Sequence, residues 1–223
     1  MVMAKATGDM PKHRKTLFII AVIVIVIMAL AFYFIANQAP HPKEVKVAGL
    51  YLPIPTEIDD FKLKDTHGKA FSKQNLKGHW TLMFFGFTSC GMVCPTTLSS
   101  LNQMYLGLQG QLPPEQLPQV MLVSVDPDRD SITRIKEYVT AFNPKFTGAR
   151  ADMTQIEALE KQLHLISVKM QGSGSNKDQY TINHSAEIMV FNPDGKLQAY
   201  LSYPHDAGQM ALDYKSILHN AVS

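Results

Sequence analysis

Residues 17–36 read LFIIAVIVIVIMALAFYFIA, with no charged side chain. A helix rises ~1.5 Å per residue, so this stretch spans about 30 Å, the thickness of a bilayer core. Such a run must lie in lipid or be removed. Small residues at Ala29-Leu30-Ala31 and Ala36-Asn37-Gln38-Ala39 offer places for a signal peptidase. Signal-peptide apolar regions run only about 7 to 15 residues, however, so an uncleaved anchor is expected. Sixteen residues before the span leave little room for an Arg-rich mitochondrial presequence.

Lys5, Lys12, Arg14 and Lys15 against Asp9 precede the span and account for the net charge of +2, the remainder being slightly acidic. The positive-inside rule therefore leaves the N-terminus in the cytoplasm and everything after Asn37 outside. A bacterial inner membrane with a periplasmic domain is the simplest setting, and no basic surface for nucleic acid is offered. The expected organisation is a basic head (1–16), a transmembrane anchor (17–36), an extended tether (37–55) and one globular domain (56–223).

Pro40, Pro42, Pro53 and Pro55 mark the tether, with one short strand expected at 45–50. Phe61 and Leu63, the turn residues Asp65-Thr66-His67-Gly68 and Phe71 predict a hairpin. WTLMFFGF (80–87) is a continuous apolar run, as in a strand covered on both faces. Helical spacing follows over 96–109 after Pro95, then a second buried strand (120–125) and a helix over 131–142. Residues 154–163 form a further helix, with Asp152 and Gln155 spaced as a capping box. Residues 171–179, QGSGSNKDQ, are a small-polar loop expected to be mobile. Strands at 186–191 and 196–201 flank the turn Asn192-Pro193-Asp194-Gly195, and 207–222 reads as a terminal helix. Two βα units, a hairpin and a helix predict an α/β fold, a thioredoxin-like sandwich with an added N-terminal hairpin.

The chain has two cysteines, Cys90 and Cys94, which excludes a disulfide-dense scaffold and a four-thiolate zinc site. They lie four apart where a buried strand meets a helix start. One helical turn brings Cα atoms to roughly 5 to 6 Å, compatible with a disulfide or a shared metal ion. The helix N-terminus favours thiolate, the species that attacks disulfides and binds soft metals. A permanent disulfide would close so short a loop that it removes little chain entropy.

FFGFTSCGMVCPTT (84–97), SVDPDRD (124–130) and NHSA (183–186) together resemble the Sco/SenC family of membrane-anchored copper chaperones. The three blocks stand in the family's order and cover nearly the whole chain after the anchor. The resemblance implies a thioredoxin-like fold with Cys90, Cys94 and His184 as copper ligands. It implies delivery of copper to the dinuclear site in subunit II of cytochrome c oxidase, reduction of that site's cysteines, or both. The chain departs from the family's usual residues at Ser89, Gly91-Met92 and Asn183, and these departures remove no ligand.

The chemistry of that set agrees. Two thiolates and an imidazole suit Cu(I), and accept Cu(II) with a water or further ligand. Zinc would normally require a fourth protein ligand. The implied partners are a copper acceptor such as subunit II, a thiol reductant and the lipid bilayer, with no nucleic acid. A His184 borne on a mobile loop would swing away to expose copper to the acceptor. The rival reading is a periplasmic thiol-disulfide oxidoreductase in which Cys90 and Cys94 are a redox-active pair and His184 tunes them. A third is redox sensing or peroxide scavenging.

Asp126, Asp128 and Asp130 with Glu137 imitate a calcium loop, but Pro127 and Ser131 break the pattern, and helix capping is the expectation, with Asp126 additionally supporting the thiol site. Met83, Met121 and Met189 read as core, whereas Met92, between the cysteines, is a candidate weak thioether ligand. His67, His79, His164, His205 and His219 show no ligand spacing and read as surface or packing residues. Asn183-His184-Ser185 matches a glycosylation sequon, taken as accidental.

Overall fold

The computed structural model describes residues 12–37, 45–171 and 180–221. Residues 1–11, 38–44, 172–179 and 222–223 lie outside the described residues, so most of the basic head, the proline-rich half of the tether, all but Gln171 of the expected mobile loop and Val222 of the expected terminal helix are not addressed. The chain divides into two compact units, Met1–Lys43 and Glu44–Ser223.

In the first unit, α1 (Lys12–Asn37) is one continuous helix. Its stretch Thr16–Ile35 has a mean hydropathy of 3.2 and exposed apolar side chains, long and apolar enough to cross a membrane.

The second unit opens with β1 (Gly49–Thr56), so the strand expected at 45–50 lies later and takes in Pro53 and Pro55. Its pairing is regular from Gly49 to Tyr51 and then slips before Thr56. Both prolines fall in the slipped stretch of an edge strand, where a missing N–H breaks no ladder. β2 (Leu63–Asp65) and β3 (Ala70–Phe71) form the expected hairpin. β4 (Thr81–Gly86) is buried at every position. There follow α2 (Val93–Gln109), β5 (Gln119–Ser124), α3 (Ile132–Phe142), β6 (Thr147–Arg150) and α4 (Met153–Gln162). β7 (Ser167–Gln171) and β8 (Tyr180–His184) form a separate antiparallel pair, and β9 (Ile188–Phe191), β10 (Leu197–Leu201) and α5 (Ala207–Ala221) close the chain.

The main sheet has eight strands in the order β1-β10-β9-β4-β5-β6-β2-β3. β4, β5 and β6 run parallel at its centre. β4 alternates between two cores. Leu82 and Phe84 pack with Leu98 and Leu101 of α2, Ile135 of α3 and Tyr214 of α5. Met83 and Phe85 pack on the other face with Ile156 and Leu159 of α4 and with Phe61 and Phe71 of the hairpin. Each such side chain contributes about 1.5–3 kcal/mol by leaving water. Both faces of the sheet are thus covered, the expected α/β sandwich.

Two local expectations need correction. The side chain of Asp152 makes no cap bond, and only its carbonyl accepts from Gln155 N. α3 is capped by Ser131, whose Oγ accepts from Arg134 N at 3.1 Å, rather than by the aspartates before it. β6 had no sequence signal. It is only four residues, TGAR, and its Gly148 lets α3 approach so closely that a Cβ would lie 2.2 Å from Ile135 Cγ2.

Candidate metal centre

The carboxyl end of β4 delivers the thiols. Cys90 sits in the turn that follows, its N–H donating to Phe87 O at 3.2 Å, and Cys94 is the second residue of α2. The pair is therefore not two residues of one helix, as the spacing suggested. Met92 at the N-cap supplies no side-chain cap. Instead Cys94 N–H donates to Cys90 Sγ at 3.4 Å, so sulfur occupies the place of a cap, and Pro95 removes one further orphan donor. Cys94 is 0% exposed. Gly86 makes the room for it: a Cβ there would lie 2.9 Å from Cys94 Sγ.

This placement splits the thiols electrostatically. The bond from the Cys94 thiol, opposed by burial and helped by His184 and the amides of Cys94 and Met92, pulls Cys90 down to about 4. Cys94 is pushed far up, first because it donates to the Cys90 thiolate and then by burial. The reduced resting state is a thiolate at Cys90 and a thiol at Cys94.

His184 is the last residue of β8 rather than part of a loop. Its Nδ1 lies 2.8 Å from the carbonyl of Ser185, which can only accept, so Nδ1 carries a proton and Nε2 faces the sulfurs. Nε2 is 3.5 Å from Cys94 Sγ. The ring stands edge-on to Phe84 and Phe87, at 6.1 and 5.8 Å between centroids. Burial lowers the tendency of His184 to protonate, but the Cys90 thiolate, the Ser185 carbonyl and Glu160 together push its pKa above the ordinary value.

The ligand atoms of Cys90, Cys94 and His184 all lie within 4.8 Å of one another. Donors at ~2.0–2.3 Å from a common ion are up to about 4.6 Å apart, so small shifts would close this set around a metal. Loading would expel the protons of Cys94 and of a protonated His184.

Met92 is 74% exposed, and it reaches the Cys90 sulfur through its amide. Asp126 and Asp130 are buried and do not cap a helix. Asp130 accepts from Thr88 N at 3.1 Å, from Thr88 Oγ1 and from Ser124 Oγ at 2.7 Å, fastening the thiol turn to the end of β5. Arg134 adds Nε to Thr88 Oγ1 at 2.6 Å. Asp126 holds Arg129 and Tyr180 instead. Sequence reasoning missed Thr88, Arg129, Arg134 and Tyr180; the charged block 126–130 was the available signal. His205 packs as expected, buried with Nδ1 3.0 Å from Thr97 Oγ1.

With this geometry in view, the comparisons decide the family. A family model described as SCO1/SenC matches residues 54–219. The chain belongs to the SCO1/SenC family. Among its relatives, a protein of Stutzerimonas stutzeri named "Putative copper-binding protein" is 34% identical over 157 residues, 70% of this chain and 74% of that one. The human mitochondrial SCO2 homolog is 34% identical over 155 residues, 68% of this chain but 56% of its own length. The chain thus spans little more than half of the mitochondrial relative. The Arabidopsis thaliana ScoI structure with copper bound superposes with a TM-score of 0.66 at 25% identity, covering 72% of this chain and 98% of that one.

Proposed function

We propose that this SCO1/SenC protein is a membrane-anchored copper chaperone acting in cytochrome c oxidase assembly. Copper is held by Cys90, Cys94 and His184 and passed to the dinuclear site of subunit II. α1 crosses a bacterial inner membrane, residues 1–16 remain in the cytoplasm, and the copper-binding domain (56–223) stands in the periplasm on the tether (37–55). The observation that carries the reading is the convergence of two sulfurs and one imidazole nitrogen within 4.8 Å.

The electrostatics suit a carrier. The Cys90 thiolate captures Cu(I), and Cys94 joins by losing its proton. An acceptor's thiolate then displaces one donor at a time, so the ion moves by ligand exchange without release to water. A thiol reductant in the same compartment keeps both cysteines available.

The test is copper titration of the reduced full-length chain in detergent. One Cu(I) per chain, retained against a competing chelator and lost in Cys90→Ser, is expected. His184→Ala should weaken Cu(II) by about 10- to 100-fold and Cu(I) much less, because Cu(I) is content with two thiolates. Copper held equally well by the cysteine variants would sink the proposal.

One observation favours a second activity at the same site. A half-exposed low-pKa thiolate beside a buried thiol is the arrangement of an attacking and a resolving cysteine. Cys90 would attack a disulfide of the acceptor and form a mixed disulfide. Cys94 would then displace it, leaving a Cys90–Cys94 disulfide and two thiols on the acceptor. Reduction of an acceptor-derived disulfide peptide by the metal-free dithiol form separates this reductase role from carriage.

A further inference from the structure

The hairpin β7–β8 carries His184 outside the eight-stranded sheet, so something other than the sheet ladder must hold the imidazole at the sulfurs. At the His184 end, Ser185 N donates to Ile166 O at 2.9 Å and Ile166 N to Ser185 Oγ at 3.0 Å. Ser167 Oγ donates to the buried Glu160 at 2.9 Å. These bonds fix a base about which the hairpin could still pivot. The far end of β8 is Tyr180, about 13 Å away along the strand at ~3.3 Å per residue.

Among the described residues, that end is fastened around Arg129. Arg129 Nη1 donates to the carbonyl of Tyr180 at 3.1 Å, its Nε to Asp126 Oδ2 at 2.5 Å, and its guanidinium lies 3.8 Å from the centre of the Tyr180 ring. Tyr180 OH donates to the other oxygen of Asp126 at 2.6 Å. Lys169 Nζ stands 3.7 Å from the same ring and 3.3 Å from Asp128. Arg129 also lies 5.7 Å from the centre of the Phe87 ring, one of the two rings on which His184 leans. Among the described residues, Arg129 Nη2 is buried without a hydrogen-bond partner. The guanidinium meets the Tyr180 carbonyl, the Tyr180 ring and the Asp126 carboxylate at once, which sets where that end of β8 lies. The same loop reaches the other half of the site, because Asp130 holds Thr88 two residues before Cys90. Residues 126–130 therefore hold both halves of the donor set to one short segment.

We propose that Arg129, acting through Asp126 and Tyr180, is a positioning residue that keeps His184 over the two sulfurs, and that opening this contact frees the imidazole while leaving the two-thiolate site intact. The proposal rests on the copper reading above. It makes Arg129 selective for Cu(II), which needs the nitrogen, over Cu(I), which does not.

The test uses the full-length chain in detergent loaded with Cu(II) or with Cu(I). Arg129→Met should release Cu(II) to EDTA about 10-fold faster or more, with altered thiolate-to-copper absorption and weakened nitrogen hyperfine structure in the EPR spectrum, and should leave Cu(I) affinity within about threefold. In a His184→Ala background the same change should add nothing, as a double-mutant cycle requires when one residue acts through the other. Tyr180→Phe, which removes one hydroxyl, should shift the same readouts in the same direction and serves if Arg129→Met folds poorly. Unchanged Cu(II) release in both variants beside an effective His184→Ala overturns the positioning role alone. So does equal weakening of Cu(I) and Cu(II), or an undiminished effect without His184. If His184→Ala is itself silent toward Cu(II), the ligand set fails, and this proposal with it.

Discussion

Cys94 rises from the middle of the molecule, and His184 comes from its margin. The sulfur follows a fully buried central strand, fits a gap left by Gly86 and is packed among side chains with no exposure of its own. The imidazole ends a two-stranded hairpin whose β7 is exposed from Val168 onward and which reaches the rest of the domain through the buried Ile182 of β8 and a few side-chain bonds. A donor set assembled from one rigid and one lightly held half can keep its cargo and still part with one ligand. Dense packing resists rearrangement, whereas a separate hairpin opens at the cost of a handful of contacts.

The largest effect expected on this contrast is loss of the rigid half. Cys94→Ser should lower Cu(I) affinity on the order of 1,000-fold, about 4 kcal/mol, measured by competition with a chelator. A variant that still holds Cu(I) like the wild type would break the comparison. Next in size is reactivity. In the reduced metal-free protein, iodoacetamide should label Cys90 at least ~100-fold faster than Cys94, read by mass spectrometry. Because Cys90 is pulled down to about 4, its labelling should persist as pH falls and halve only near that value; a midpoint near the ordinary thiol value would remove the asymmetry. Asp130→Asn loosens the tie between Thr88 and Ser124 and should cost about 1–3 kcal/mol in denaturant unfolding, through weakened bonds to a buried charge. The smallest effect belongs to Met92→Ala, expected to leave Cu(I) affinity within about twofold, since an exposed thioether adds little.

Much of the rigid half was legible in the chain. WTLMFFGF announces a covered strand because no charged side chain interrupts it, and Pro95 marks the helix that follows because it lacks the N–H that a first turn does not use. His184 was nameable through the NHSA block. Its setting was harder to read: Ser167–Gln171 and Tyr180–His184 do alternate apolar and polar residues, but each is only five residues long and they flank the small-polar run QGSGSNKDQ, which reads as loop. The aspartates of 126–130 looked like caps because capping is a local habit of Asp, whereas their actual partners, Thr88 and Tyr180, are 42 and 54 residues away. β6 escaped for the same reason: TGAR becomes a strand by pairing with β5 and β2, not by its own propensity.

Sequence by itself determined the apolar helix of membrane-spanning length, the alternation of buried strands with amphipathic helices, and the spacing that put two thiols at a strand-to-helix junction. Those are properties of consecutive residues, set by periodicity and by the backbone chemistry of proline and glycine. Only the tertiary structure decided that the two sulfurs differ so strongly in acidity, that His184 rides on a hairpin, and that one loop fastens both. Such features depend on burial and on contacts between segments distant along the chain, and local patterning carries no record of them.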